Sequence, residues 1–333
     1  MGLPRIALGS IVILGSASPF GVLFPGQGAQ NLGMGLDIAA LEPAAAAVFD
    51  VANEILDFDL RAVIGGADKA ALDRTDVCQP AILVTSLAVM AGLTARGLLN
   101  TERVAACAGL SLGEYSALAW AGALSLEDAI RLVRARGQAM QAASDENPSG
   151  MLSLVGASRE SAEALVSASR GDGVLVLANM LAPGQIAIGG TTEALDGAQA
   201  ACREHGIRKA VPLAVAGAFH SPCMDSAAAS LGKALDATTF TKPRIPVVLN
   251  VTGQASQDPG VIADALRRQI SSPVLWQASM ETLFAMGVSD FFEPAPGRQL
   301  TNMLRRYEVE TKTGACGNAD DFSSMACWPG VTP

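Results

Sequence analysis

Val104-Ala105-Ala106-Cys107-Ala108-Gly109-Leu110-Ser111-Leu112-Gly113-Glu114-Tyr115 is the stretch whose reading decides the fold. Val104 to Ala108 is a short uncharged run that reads as a buried strand, and Glu114 to Ala121 has helical spacing. Between them stands Gly109-x-Ser111-x-Gly113, a string that means little alone and much between a strand and a helix. Glycines at 109 and 113 permit a sharp, strained turn that lifts the Ser111 hydroxyl out of the top of a sheet. The Leu112 N–H then sits at the start of the next helix, facing any oxyanion. A turn of this kind, a nucleophile elbow, needs an α/β domain around it.

The neighbouring segments supply one. Upstream, Val22 to Phe24 reads as a strand broken by the turn Pro25-Gly26-Gln27-Gly28, and Val77 to Arg96 reads as a long helix with Thr75 or Asp76 as cap. Downstream, Ser125 caps a helix running to Ala143, and the turn-rich Asp145 to Gly150 follows as a linker. From Gly150 to Leu213 the order becomes strand 151–155, helix 159–169, strand 174–178, strand 185–189, helix 192–205 and strand 209–213. This β-α-β-β-α-β pattern is that of a ferredoxin-like unit and predicts a subdomain at 150–213, inserted into a main domain of 21–149 and 214–306. Alternation then resumes, with strands near 245–249 and 288–292 and helices near 260–270 and 276–285. The stretch 307–333 has no clear periodicity and reads as a poorly packed tail.

Composition narrows the class. A chain of 333 residues that is 50% hydrophobic and only 17% charged can bury a large core and is not intrinsically disordered. Its net charge of -9 repels a phosphate backbone, so nucleic acid is not an expected partner. Six cysteines, with no Cys-x-x-Cys pair and no His at ligand spacing, argue against a disulfide scaffold or a metal site and for a reducing compartment. Ile6 to Leu36 carries no charge, but Gly, Ser, Pro and Gln interrupt it too often for a membrane span of about 20 apolar residues. Residues 1–20 have either the layout of a targeting segment, with Arg5 ahead of an apolar run, or that of a ragged start to the first strand.

A nucleophilic serine needs a base, and the chain has two histidines. His205 ends a predicted helix, where the helix dipole favours it without any catalytic role. His220 lies in the turn-rich loop Ala216-Gly217-Ala218-Phe219-His220-Ser221-Pro222, from which a side chain can be aimed at a cleft.

Five spaced motifs now stand in order: Pro25-Gly26-Gln27-Gly28-Ala29-Gln30, Gly109 to Tyr115, Arg131-Leu132-Val133-Arg134-Ala135-Arg136-Gly137, Gly217-Ala218-Phe219-His220-Ser221 and Pro296-Gly297. Together, from about Val22 to Arg306, they resemble the malonyl-CoA:acyl carrier protein transacylase family. The resemblance implies a hydrolase-like α/β domain with an inserted ferredoxin-like subdomain. It implies Ser111 as acyl-accepting nucleophile, His220 as its base and acid, and the backbone N–H groups of Gln27 and Leu112 as oxyanion hole. Arg136 matches the arginine that grips the free carboxylate of malonyl, and Gln269 matches a position supporting the site. A backbone carbonyl orients the histidine in this family, and the matching position looks like Asn250.

The same resemblance implies malonyl-CoA and acyl carrier protein as partners, and no cofactor, since CoA and phosphopantetheine enter as substrates. Fatty-acid synthesis would be the pathway, in the cytoplasm or in an organelle. Competing readings are an acyl-thioesterase on the same scaffold, which Arg136 opposes, and a non-catalytic docking module, which the intact Ser111 and His220 oppose. Leu110, Leu181 and Ala182 depart from the family pattern. Carrier proteins of this pathway are acidic, so Arg203, Arg208, Lys209, Arg267, Arg268 and Arg298 are expected to form a basic dock.

Overall fold

The computed structural model describes residues 19–324; the expected targeting segment falls almost entirely outside them. Two sheets organise the chain. The strands are β1 (Phe20–Phe24), β2 (Val104–Gly109), β3 (Ser149–Val155), β4 (Leu175–Ala182), β5 (Gln185–Thr191), β6 (Lys209–Pro212), β7 (Val247–Val248), β8 (Ala255–Ser256), β9 (Asp290–Pro294) and β10 (Lys312–Cys316).

The larger sheet has the order β10-β9-β1-β2-β7-β8 and is parallel apart from the β7–β8 pair. β1 and β9 are buried at every position, as expected of strands covered on both faces by helices. Phe24 pairs with Gly109, so the turns leaving β1 and β2 start side by side at the carboxyl ends of adjacent strands. Crevices for ligands form at such ends in open α/β sheets.

Helix Thr75–Ala95 is long and apolar enough to cross a membrane, but 83% of that stretch is buried inside the protein. There it packs against helices Pro43–Ile55 and Leu126–Glu146. Its residues are apolar on nearly all sides because it runs through the core. Neither Thr75 nor Asp76 caps it: both lie within the first turn, after Arg74. Ser125 does cap the next long helix, its hydroxyl accepting the Asp128 N–H at 3.0 Å.

The smaller sheet is antiparallel, in the order β4-β5-β3-β6, and carries helices Arg159–Ser169 and Thr192–Ala201. Leu152, Leu154, Leu165, Leu175, Ile188 and their neighbours form a core separate from that of the main sheet.

The stretch from Tyr307 differs from its expected lack of packing. β10 adds a parallel edge strand to β9, helix Ala319–Ser324 follows, and Cys316 and Phe322 are fully buried. A five-residue strand with a glycine at its centre has no periodicity of its own to read; its pairing with β9 defines it. Residues 325–333 lie outside the described part.

Candidate active site

Gly109 and Gly113 hold the Ser111 turn closed. A Cβ on Gly109 would stand 1.9 Å from the Gly113 backbone, and one on Gly113 would stand 2.1 Å from the Phe24 carbonyl oxygen. The turn is that tight because β1 and helix Gly113–Ala121 pass within backbone contact of each other. Ser111 has φ 53°, in the left-handed region that disfavours a side chain. Among the described residues, the one other non-glycine with positive φ is His220, at 59°. Such backbone conformations persist where the surroundings over-determine them. The Asn250 amide is one such restraint: its Oδ1 accepts the Ser111 N–H at 2.6 Å and its Nδ2 donates to the Gly109 carbonyl at 2.7 Å.

Ser111 Oγ lies 2.8 Å from His220 Nε2, and His220 Nδ1 lies 2.8 Å from the backbone carbonyl of Gln269. A carbonyl only accepts, so Nδ1 carries the proton and Nε2 presents a lone pair to the hydroxyl. The orienting carbonyl is therefore that of Gln269, which corrects the expectation for Asn250. Asn250 follows β7 and works through its side chain on the serine turn; Gln269 closes helix Pro259–Gln269, whose end anchors the His220 loop through the His220 N–H to Ile270 carbonyl bond of 3.2 Å. A backbone carbonyl belongs to any residue type, so the sequence carried no mark of which one faces the imidazole.

Burial, and secondarily the charge of Arg136, push His220 down to about 4, against the opposing bond to Gln269. The imidazole is thus neutral at ordinary pH, with its lone pair free. This carries a stability consequence. Between about 4 and the unfolded value near 6.5 the unfolded chain binds the extra proton, so this group's contribution is complete above that window and is lost as pH falls through it. His220→Gln removes the loss and should gain on the order of 2 kcal/mol relative to the parent between pH 7 and pH 5. Urea denaturation of both proteins at the two pH values measures this, and a gap that does not change with pH would contradict the assignment.

Arg136, on helix Leu126–Glu146, is 1% exposed. Its Nη1 donates to Gln79 Oε1 at 2.8 Å, and its Nη2 donates to Ser111 Oγ and to Gln269 Oε1, both at 3.0 Å. The guanidinium also lies over the Tyr115 ring, 5.5 Å from its centre, and its Nε has no partner. Burial lowers its pKa from the ordinary value. A cation held by neutral groups, with Nε and one Nη1 hydrogen uncommitted, suits an anion brought up against Ser111.

Gln27 follows β1 and Leu112 follows Ser111, in the two adjacent turns. Among the described residues no acceptor takes the N–H of either. Two free backbone donors in the turns beside the Ser111 hydroxyl are what an oxyanion would require.

His205 lies in the turns after helix Thr192–Ala201, apart from this cluster. Gln79 was not anticipated; a glutamine in the apolar face run of Thr75–Ala95, fully buried and ahead of Pro80, was its one signal. Leu110 and Leu181 pack against one cluster with Met303 and Tyr307, and the Tyr307 hydroxyl donates to the Leu181 carbonyl at 3.0 Å. Of the expected basic dock, Arg267, Arg268 and Arg298 are each paired with an aspartate: Asp236, Asp264 and Asp321. Among the described residues no group of His, Cys, Asp and Glu is placed to hold a metal ion.

Residues 22–324 match the acyl transferase domain family. The chain is 37% identical over 304 residues to a malonyl CoA-acyl carrier protein transacylase of Bacillus subtilis, covering 91% of this chain and 95% of that one. It also superposes on the crystal structure of a malonyl-CoA:acyl carrier protein transacylase from Xanthomonas oryzae, with a TM-score of 0.88, 37% identity, and coverage of 93% of this chain and 98% of the other. A malonyl-transacylase solved in complex with its type II PKS acyl-carrier protein matches with a TM-score of 0.88 and 34% identity, over 92% of this chain and 99% of that one.

Proposed function

Because this chain belongs to the acyl transferase domain family, we propose that it carries malonyl from malonyl-CoA to the phosphopantetheine thiol of acyl carrier protein through a malonyl-serine intermediate. One observation carries the assignment of roles. Ser111 Oγ stands 2.8 Å from a histidine lone pair and 3.0 Å from a buried guanidinium, so nucleophile, base and carboxylate-binding group meet at one atom.

The reaction follows from these positions. His220 Nε2 takes the Ser111 proton as Oγ attacks the thioester carbonyl, and the oxyanion falls to the N–H groups of Leu112 and Gln27. The C–S bond breaks, the proton passes from Nε2 to the CoA sulfur, and malonyl stays on Ser111. In the second half the carrier thiol gives its proton to Nε2, its sulfur attacks the ester, and Ser111 Oγ recovers the proton. No cofactor enters any step. Arg136 holds the malonyl carboxylate by two-pronged donation throughout.

We read the strained Ser111 turn as a nucleophile elbow on a hydrolase-like α/β domain, and β3 to β6 with their two helices as a ferredoxin-like insertion. The β-α-β-β-α-β order and the separate core support that reading. The cysteines among the described residues are free and four of the five are buried, which supports a reducing compartment.

Incubation with malonyl-CoA followed by intact-mass measurement tests the function. A single malonyl adduct that disappears when phosphopantetheinylated acyl carrier protein is added is the expected result. Release of free malonate without an adduct would point to a hydrolase instead, and an unchanged mass with intact malonyl-CoA would remove the transfer reading.

A further inference from the structure

Glu114 takes no part in the steps above, yet its side chain is fully buried three residues past the nucleophile. Its Oε1 accepts the Asn250 N–H at 3.3 Å and its Oε2 accepts from Gln269 Nε2. Gln269 also touches Ser111, Arg136 and His220. Its Nε2 also donates to the Ser111 carbonyl at 2.9 Å, its Oε1 accepts from Arg136 Nη2 at 3.0 Å, and the backbone carbonyl of the same residue holds His220 Nδ1. If the amide turned over, its NH2 group would face the guanidinium, donor against donor.

We propose that Glu114 is a positioning residue, which locks the Gln269 amide in the orientation Arg136 requires and thereby tunes the site for acyl groups bearing a free carboxylate. The proposal rests on the reading of Arg136 as the carboxylate-binding group. An ionised carboxylate only accepts, and Glu114 faces two donors, so its charged form fits this amide orientation alone. A proton on Glu114 needs an acceptor of its own. Turning Gln269 over would provide one, and Arg136 would then lose a bond and its placement.

The charged group facing Glu114 is Arg136, from helix Leu126–Glu146; Tyr115 is its neighbour on its own helix, and His220 is linked to it through Gln269. Burial pushes Glu114 up to about 7, against the bonds from Gln269 and Asn250 and the charge of Arg136. His220, down at about 4, stays neutral through the same range. A step in rate near neutrality would thus come from Glu114.

The test compares acylation by malonyl-CoA and by acetyl-CoA between about pH 5.5 and pH 9 in the parent, Glu114→Gln and Arg136→Ala. In the parent, malonyl transfer should rise through about pH 7 while acetyl transfer stays level. Glu114→Gln offers one acceptor to two donors. It should lose the step and about ten- to a hundredfold in malonyl kcat/KM, with acetyl transfer within about threefold of the parent. Coincident malonyl and acetyl profiles in the parent would overturn the proposal, with no need for the variant to fold. So would equal losses on both substrates in Glu114→Gln. If Arg136→Ala inverts the preference and Glu114→Gln leaves it untouched, the Glu114 role fails alone. If Arg136→Ala leaves the preference unchanged, the underlying reading of Arg136 fails.

Discussion

Arg136→Ala is expected to lose malonyl transfer by about 10²- to 10³-fold while keeping or gaining acetyl transfer. Leaving a carboxylate buried without its partner costs roughly 3 to 5 kcal/mol, and about 1.4 kcal/mol corresponds to each tenfold in rate. An acetyl group has no such charge, and it would face a cation that is 1% exposed and whose Nε has no partner. Removing that cation relieves the neutral substrate. The substitution also frees Gln79 Oε1 and Gln269 Oε1 of their donor, a loss common to both substrates. An inversion of preference therefore isolates the carboxylate contact from damage to the fold. Parallel rates with malonyl-CoA and acetyl-CoA measure it, and equal losses on both would make Arg136 a structural residue.

Ser111→Ala should abolish the acyl-enzyme, and His220→Ala should slow transfer by a factor on the order of 10³ or more. The first deletes the proposed nucleophile while the Asn250 restraints, both made to backbone groups, remain. The second removes the acceptor of the Ser111 proton, and the Arg136 contact to the same oxygen cannot replace it, because a guanidinium only donates. Relieving φ 53° at position 111 is not offered by alanine, which also has a Cβ, so the stability of Ser111→Ala should stay near that of the parent. Intact-mass measurement after malonyl-CoA and thermal melts of the same samples check both claims. Transfer near the parent rate in either variant would remove that residue from the mechanism.

The strand-turn-helix around Ser111, the order of the four middle strands and the helix opened by Ser125 were legible in the sequence, since each rests on local rules. Periodicity, a cap and glycines flanking a serine act within a few residues of one another. The five spaced motifs carried Ser111, His220, Arg136, Gln27 and Leu112 as candidates in the same way.

Only the tertiary structure decided the rest. β10 is a strand because β9 offers it an edge, and no pattern within Lys312–Cys316 records that. The carbonyl facing His220 belongs to Gln269 rather than Asn250, because the end of one helix and not the segment after β7 meets the imidazole. Gln79 and Glu114 join the site through bonds spanning 57 and 136 positions, to Arg136 and to the Asn250 N–H. Residue type and spacing specify what a segment can do by itself, whereas a hydrogen bond between distant segments exists only once the packing of the whole chain has set their distance and angle.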